Sequence, residues 1–245
     1  MGSISRDAGH LPIQDLERLF LHNNVVGLGE SYWQNVLQQP DILLPRFAET
    51  LKSGKILEGH SAGASDKKLN AYIATGITSC HEPIKADEVM QRLRLGIHVM
   101  AREGSIRRDL KEIAKISKTQ MDLRRLILVT DGIHPEDLLE KGYMEYVVQK
   151  AIACGFDPVA AVQMATLNVA EHFAVDHWVG GIAPGRFADM LVIPDISTIQ
   201  PLMVISNGRI VFDNDAVLVP ARPHVFSDER RHSVHLSRQF ESADF

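Results

Sequence analysis

Cysteine is scarce in this chain, which has only Cys80 and Cys154 among its 245 residues. Two isolated cysteines supply neither a disulfide framework nor a zinc ribbon. The zinc deaminases of the cytidine type need a P-C-x-x-C segment, and neither cysteine has a second one three positions away, so this class is excluded. The sparse cysteines favour a reducing compartment, and we expect the cytoplasm.

Excess positive charge and long apolar runs are also missing. The formal net charge is -5, which gives no basic surface for nucleic acid or for an anionic membrane. No apolar run approaches the roughly 20 residues of a membrane-spanning helix. Residues 1–10 are polar, so we expect a disordered N-terminus rather than a signal peptide.

Four short apolar runs are each followed by a residue that can bind a metal. The runs and the residues after them are Val25–Gly29 with Glu30, Ile56–Gly59 with His60, Ile77–Cys80 with His81, and Leu126–Thr130 with Asp131. A helix-like segment follows each run, which predicts an α/β fold with parallel strands. Because such strands carry chemistry at their carboxyl ends, we expect these four side chains to converge on one or two divalent cations.

The chain divides by pattern into four segments. Alternating strands and helices over 11–175 predict part of a (β/α) barrel. One helix is expected to start at Ser105, and another is expected to run without a break over Pro158–Phe173. Trp33 is expected in a loop. Short runs over 176–219 predict a small β-sandwich portion, in which Ser206-Asn207-Gly208 indicates a hairpin turn. The tail, 220–245, has no periodicity, and its structure stays open.

One motif favours different chemistry. Gly59-His60-Ser61-Ala62-Gly63 matches the G-x-S-x-G nucleophile elbow of serine hydrolases, which would make Ser61 a nucleophile. A triad would then need an aspartate and a later histidine, formally Asp131 with His172 or His177. Those two histidines fall in or just after a helix and are expected to be caps or surface residues.

The remaining polar candidates lie beside predicted ligands or inside a strand. Glu82 and His134 are expected either to contact substrate and support the ligands or to serve a local turn. His98 lies within a predicted strand, where it lines or simply fills the barrel.

Several motifs together resemble the bacterial adenine deaminases, a family of the metal-dependent amidohydrolase superfamily. The resemblance runs from about Pro12 to Gly208. The matching segments are Gly27–Glu30, Glu58–His60, Leu69–Ile77, His81–Glu82, Arg94–Gly96, Arg102–Ser105, Thr130–Asp131, His134–Leu138, Gln163–Asn168 and Gly181–Asp189. The family implies a TIM-like (β/α)8 barrel and conversion of adenine and water to hypoxanthine and ammonia.

The resemblance also implies a role for each site residue. Glu30 takes the metal-bridging position, and His60 and His81 are metal ligands. Asp131 binds metal and moves a proton from the nucleophile to the leaving ammonia. Glu82 and His134 face the purine or support the ligands. The family uses a binuclear site and favours manganese or iron, which carboxylate and imidazole ligands suit.

The sequence departs from the family's pattern in four ways. Ser61-Ala62 replaces Ala-Pro, Cys80 replaces Asp, and Gly132-Ile133 replaces Asp-Arg, changes that bear on the substrate more than on the fold. None of the 11 histidines forms the His-x-His pair of the superfamily's first strand. We therefore expect an internal portion with about five of eight barrel strands. Open sheet edges then predict a homo-oligomer or a complementing chain, and a catalytically inactive half-barrel acting as an oligomerisation partner is the second hypothesis.

Overall fold

The computed structural model describes residues 11–221, 223–231, 238 and 241–242. Residues 1–10, for which we predict disorder, lie outside the described part. The chain begins with helix α1 (Ile13–Phe20), and short helices then alternate with strands as far as His172. An antiparallel sheet and a short terminal helix, α11 (Asp228–Arg231), follow.

Five parallel strands form the first part of the fold. They are β1 (Gly27–Tyr32), β2 (Ile56–His60), β3 (Ser79–Cys80), β4 (His98–Arg102) and β5 (Leu126–Val129). β1 pairs with β2, and β4 pairs with both β3 and β5. The Thr78 N–H donates to the Leu57 carbonyl at 2.9 Å, so β2 and β3 also lie side by side. The strands thus follow one another in chain order, and their carboxyl ends share one edge. The predicted α/β class is confirmed.

Helices cover one face of these strands. They are α2 (Trp33–Gln38), α3 (Pro40–Lys52), α4 (Asp66–Ile73), α5 (Ala86–Arg94), α6 (Leu110–Ile113), α7 (Pro135–Lys141), α8 (Met144–Ala153), α9 (Pro158–Ala165) and α10 (Leu167–His172). Two buried clusters hold most of them in place, one around Phe47 and Tyr72 and a larger one around Ile113 and Met164; α7 and α10 contribute no residue to either cluster. Each fully buried aliphatic side chain contributes roughly 1.5 to 3 kcal/mol.

Side chains alternate between the two faces of each strand, and the polar ones lie on the face that the helices do not cover. On β2, Leu57 and Gly59 are buried among the helices, whereas Glu58 and His60 are half-buried on the other side. Successive strand residues point to opposite faces, so Glu58 and His60 share theirs. The polar residues of this face are therefore separated from the apolar clusters.

The second part is a four-stranded antiparallel sheet in the order β6 (Met190–Val192), β7 (Met203–Ser206), β8 (Arg209–Asp213) and β9 (Ala216–Val217). Asn207 and Gly208 form the two-residue turn between β7 and β8, with φ of 48° and 74°. Two positive φ values in succession are those of a type I′ turn, so the predicted hairpin is confirmed. β9 was not predicted, and the sandwich and the segment boundaries stay predictions.

Three helix predictions are wrong. No helix starts at Ser105, because the Gly104 N–H donates to the Arg107 carbonyl at 2.7 Å and a bridge joins Glu103 to Arg108, so α6 begins only at Leu110. A 3₁₀ helix (Ala114–Lys118) continues it.

Helix 158–173 breaks at Thr166, whose φ and ψ are -131° and -84°. Its hydroxyl donates to the Val162 carbonyl at 2.7 Å, a local bond that competes with the helix. Trp33 starts α2 instead of lying in a loop.

Within the described residues, no helix is long and apolar enough to cross a membrane.

Candidate metal centre and its carboxylate network

Three of the predicted ligands come together at the carboxyl edge of the strands. One ligand atom each from Glu30, His60 and His81 lies within 4.8 Å of the others. Glu30 Oε2 is 3.1 Å from His81 Nε2 and 3.4 Å from His60 Nδ1. Two ligand atoms about 2.1 Å from one cation are separated by about 3.0 to 3.4 Å in octahedral or tetrahedral geometry. The spacing and the donor set therefore fit a divalent cation.

The strands deliver these ligands in different ways. His60 is the last residue of β2, and His81 follows β3 directly. Glu30 was expected after its strand, but it lies within β1, which continues to Tyr32. The pairing register with β2 shifts between Leu28 and Ser31, and such an irregularity re-aims a side chain. The shift places the Glu30 carboxylate beside the two imidazoles.

Glu82 extends the cluster by one carboxylate. Its Oε1 lies 3.2 Å from His81 Nε2, 3.7 Å from His60 Nδ1 and 2.8 Å from Arg102 Nη1. The hydrogen bond from His81, together with Arg102, lowers the pKa of Glu82 to about 2, and the same hydrogen bond raises the pKa of His81. Glu82 is therefore a carboxylate at neutral pH, beside the three predicted ligands.

Asp131 follows β5, as predicted, but it is not part of the three-residue cluster in the described structure. Its Oδ2 accepts a hydrogen bond of 2.9 Å from Arg102 Nη1. Its backbone is left-handed, with φ of 49°, a conformation that Asp tolerates better than most residues. Its side chain is 43% exposed, which leaves it open to a ligand or a substrate. Its role as a metal ligand stays a prediction.

His134 lies at the start of α7 and is exposed. Its backbone N–H donates to the Ser105 hydroxyl at 2.7 Å, which ties the loop after β5 to the loop after β4. The histidine side chain takes no part in this bond, so both alternatives expected for it, contact with substrate and a local turn role, stay predictions.

Ser61 has the contacts of a structural residue. Its side chain is fully buried, its hydroxyl donates to Cys80 Sγ at 2.8 Å, and it accepts from Arg92 Nε at 3.0 Å. Arg92 also donates to the Ser61 carbonyl at 2.8 Å and to the Ala64 carbonyl at 3.2 Å. These contacts fasten the loop that follows His60, and they leave the hydroxyl enclosed, unlike an exposed nucleophile.

A second polar group, on the strand face that points away from the helices, was missed. His172 was expected to be a helix cap or a surface residue, but it is buried, and its Nε2 pairs with Glu58. Glu58 also accepts a hydrogen bond from the Ser79 hydroxyl. The His98 ring lies 4.4 Å from the His172 ring, and burial lowers the pKa of His98 to about 4. Glu58 could have been found from its alternation with His60, whereas His172 gives no local signal.

Comparison with known proteins finds a family and relatives to which this chain is similar. The model of the amidohydrolase family matches residues 40–211. Adenine deaminase of Clostridium botulinum strain 657 is 34% identical over 235 residues, which are 95% of this chain and 39% of that protein. Adenine deaminase of Moorella thermoacetica is 40% identical over 215 residues, 86% of this chain and 36% of that protein. The chain thus spans less than two fifths of the length of these relatives.

Solved structures share the fold at low identity. N-acetylglucosamine-6-phosphate deacetylase from Pasteurella multocida superposes with a TM-score of 0.62 at 15% identity, over 82% of this chain and 61% of that one. A β-aspartyl dipeptidase from Fervidobacterium islandicum also gives 0.62 at 15% identity, over 84% of this chain and 63% of that one. At this identity the likeness concerns the fold alone.

Proposed function

The chain belongs to the amidohydrolase family, and from that membership we propose an adenine deaminase-type reaction, in which adenine and water give hypoxanthine and ammonia. The adenine deaminases that resemble the chain support this substrate. Since the chain spans 36% to 39% of the length of those relatives, the whole-protein activity is part of the proposal.

The observation that carries the proposal is the cluster of Glu30, His60 and His81. These three residues would hold a divalent cation, with manganese or iron as the proposed metal and a second ion as in the binuclear family sites. Bound there, the cation supplies a water that loses its proton near neutral pH instead of near 16. Without it, water is too weak a nucleophile to attack an aromatic amidine carbon.

The chain's own side chains would handle the protons. The water oxygen bonds to the ring carbon that carries the amino group, and the carbon–nitrogen bond breaks with release of ammonia. Asp131 would accept the water's proton and return it to the leaving nitrogen, as a carboxylate within hydrogen-bond reach can do. Glu82, ionised beside His81, would orient the purine by accepting from a ring N–H. His134 would contact the purine from the start of α7.

The finer architecture belongs to the same proposal. The five parallel strands would be about the last five of a TIM-like barrel, over 11–175, followed by a β-sandwich portion over 176–219. The edge of β1 that pairs with no strand of the described residues would be covered by a second copy or by a complementing chain, since exposed strand edges recruit strands. We propose the cytoplasm as the compartment.

A second candidate is a catalytically inactive half-barrel that serves as an oligomerisation partner. It is favoured by the position of Asp131, which lies outside the three-residue cluster in the described structure. Metal binding and adenine turnover separate the two candidates.

The test loads the full chain with Mn²⁺ and follows hypoxanthine and ammonia formation from adenine. We expect turnover that falls at least about 100-fold in Glu30→Gln and His81→Ala, with Mn²⁺ binding lost in parallel. His22→Ala, at an exposed helix end, is the matched histidine control. Mn²⁺ binding without turnover would contradict the enzymatic proposal and favour the inactive partner.

A further inference from the structure

One cationic side chain joins the two carboxylates that flank the candidate metal centre. Arg102, the last residue of β4, has a side chain only 3% exposed. Its Nη1 donates to Glu82 Oε1 at 2.8 Å and to Asp131 Oδ2 at 2.9 Å. These carboxylates follow β3 and β5, the two neighbours of β4. The guanidinium therefore bridges three adjacent strand ends.

The bridge opposes a repulsion that the fold creates. Two carboxylates held at neighbouring strand ends in a partly buried site repel each other and turn apart unless a cation lies between them. On the far side, Asp109 Oδ2 lies 3.6 Å from Arg102 Nη2. This ion pair is not a hydrogen bond, since neither Arg102 Nη2 nor Asp109 Oδ2 has a hydrogen-bond partner among the described residues. The hydrogen bonds that the guanidinium makes to carboxylates are those of Nη1 to Glu82 and Asp131.

We propose that Arg102 is a positioning residue that holds Glu82 and Asp131 in place beside the metal centre. The expected effect on adenine turnover rests on the proposed function, whereas the expected effect on Mn²⁺ affinity does not. Because Arg102 is buried behind the two carboxylates, it acts through them rather than on the substrate. Its positive charge lowers the affinity of the centre for a cation while it keeps both carboxylates in a productive geometry.

Loss of Arg102 should raise Mn²⁺ affinity and lower activity, and these opposite changes distinguish a positioning role from a loss of folded structure. For Arg102→Met we expect Mn²⁺ to bind roughly 3- to 10-fold more tightly, because a positive charge near the cation is removed. We also expect kcat for adenine to fall about 100-fold, because displaced catalytic groups cost that much. A residue needed only for folding would lower both affinity and activity.

The experiment measures Mn²⁺ affinity by calorimetry, kcat and KM for adenine, and folding by circular dichroism, all on the full chain. Arg102→Lys keeps the charge but loses the planar fork, so we expect wild-type Mn²⁺ affinity and a kcat lowered about 10-fold. Arg124→Met, which removes an exposed arginine paired with Asp122, is the matched control and should behave as the wild type.

Each result decides the inference. Unchanged or weaker Mn²⁺ binding in a folded Arg102→Met overturns it, and so does an unchanged kcat in either Arg102 variant. If Arg102→Met does not fold, Arg102→Lys decides by its kcat, and failure of both variants to fold assigns Arg102 a structural role only. If the wild type binds Mn²⁺ but has no turnover, the proposed function fails and the Mn²⁺ affinities alone test Arg102.

Discussion

The backbone N–H of His60 donates a 2.9 Å hydrogen bond to the phenolic oxygen of Tyr72. The same hydroxyl donates to the carbonyl of Ser31, the residue after Glu30. Tyr72 is fully buried in α4, and burial raises the pKa of its phenol, so it remains a donor at any physiological pH. One hydroxyl thus fixes the relative position of two proposed metal ligands that lie on different strands.

Tyr72→Phe should weaken both the fold and the metal centre. The variant leaves a partly buried N–H and a partly buried carbonyl without their partner, which costs about 1 to 2 kcal/mol in the free energy of unfolding. Because the ligand positions loosen, we expect Mn²⁺ affinity to fall roughly 10-fold. Urea unfolding and calorimetric Mn²⁺ titration measure the two effects.

The control for this variant is Tyr143→Phe, because the Tyr143 side chain is 48% exposed. Its hydroxyl can exchange a protein contact for water, so we expect a change within about 0.5 kcal/mol. Equal Mn²⁺ affinities in Tyr72→Phe and the wild type would show that the phenol does not position the ligands.

Ser61→Ala should remove a structural hydroxyl and leave the chemistry intact. The Arg92 guanidinium would lose one acceptor and keep the Ser61 and Ala64 carbonyls, so we expect a cost of about 1 kcal/mol. A fluorophosphonate probe should not label the wild-type chain. Labelling that disappears in Ser61→Ala would revive the serine hydrolase hypothesis and contradict a purely structural Ser61.

The strand ends could be predicted because they depend on local pattern. His60 and His81 each follow a short apolar run, and parallel strands bring their carboxyl ends together whatever the details of packing. The hairpin at Asn207-Gly208 is equally local, since the turn type demands those residues. The end of β1 was expected at Gly29 but lies at Tyr32. The register shift beside Glu30 depends on the partner strand as well as on β1, so the local pattern does not reveal it.

Long-range contacts could not be predicted from the same pattern. His172 pairs with Glu58 across 114 positions, and nothing in the neighbourhood of His172 indicates that partner. The direction of the Asp131 side chain is set by Arg102, 29 positions away, rather than by its own strand. The break at Thr166 follows from a competing side-chain bond, which helical periodicity does not reveal.

His98 should make the fold less stable as the pH falls. Burial lowers its pKa from 6.5 to about 4, so between these values the unfolded chain takes up a proton that the folded chain does not. As far as His98 is concerned, the free energy of unfolding therefore keeps its full value above about pH 6.5 and decreases toward pH 4. His98→Gln should remove about 1 to 2 kcal/mol of this loss, a value below the full shift because the ring is only partly buried.

Urea unfolding at about pH 7.5 and about pH 5 gives the loss in the free energy of unfolding between the two pH values. The effect of His98 is the loss in the wild type minus the loss in His98→Gln. Burial acts to raise the pKa of Glu58, but its hydrogen bond from His172 outweighs burial, and the pKa lies below the ordinary 4.5. Protonation of Glu58 therefore lowers stability only below about pH 4.5, outside the range compared here. An equal loss between the two pH values in wild type and His98→Gln would contradict a neutral His98 in the folded state.

Gly104 should be the least replaceable glycine beside the site. A Cβ built on Gly104 would lie 2.1 Å from the Thr130 carbonyl oxygen and 2.4 Å from that of Gly132. Both atoms belong to the backbone on either side of Asp131, so the neighbours cannot yield by rotating a side chain. Gly104→Ala must push the loop after β5 outward, and we expect a cost of about 2 to 3 kcal/mol.

The same displacement should reach the chemistry, because it moves Asp131 away from Arg102. We expect kcat to fall in Gly104→Ala while Mn²⁺ still binds at Glu30, His60 and His81, since none of these three belongs to the displaced loop. Gly29→Ala is the control for stability, because a Cβ there meets nothing within 4 Å. If both alanine variants unfold at the same urea concentration, the close approach of the two loops is not a constraint in solution, and the position of Asp131 must then be set by Arg102 alone.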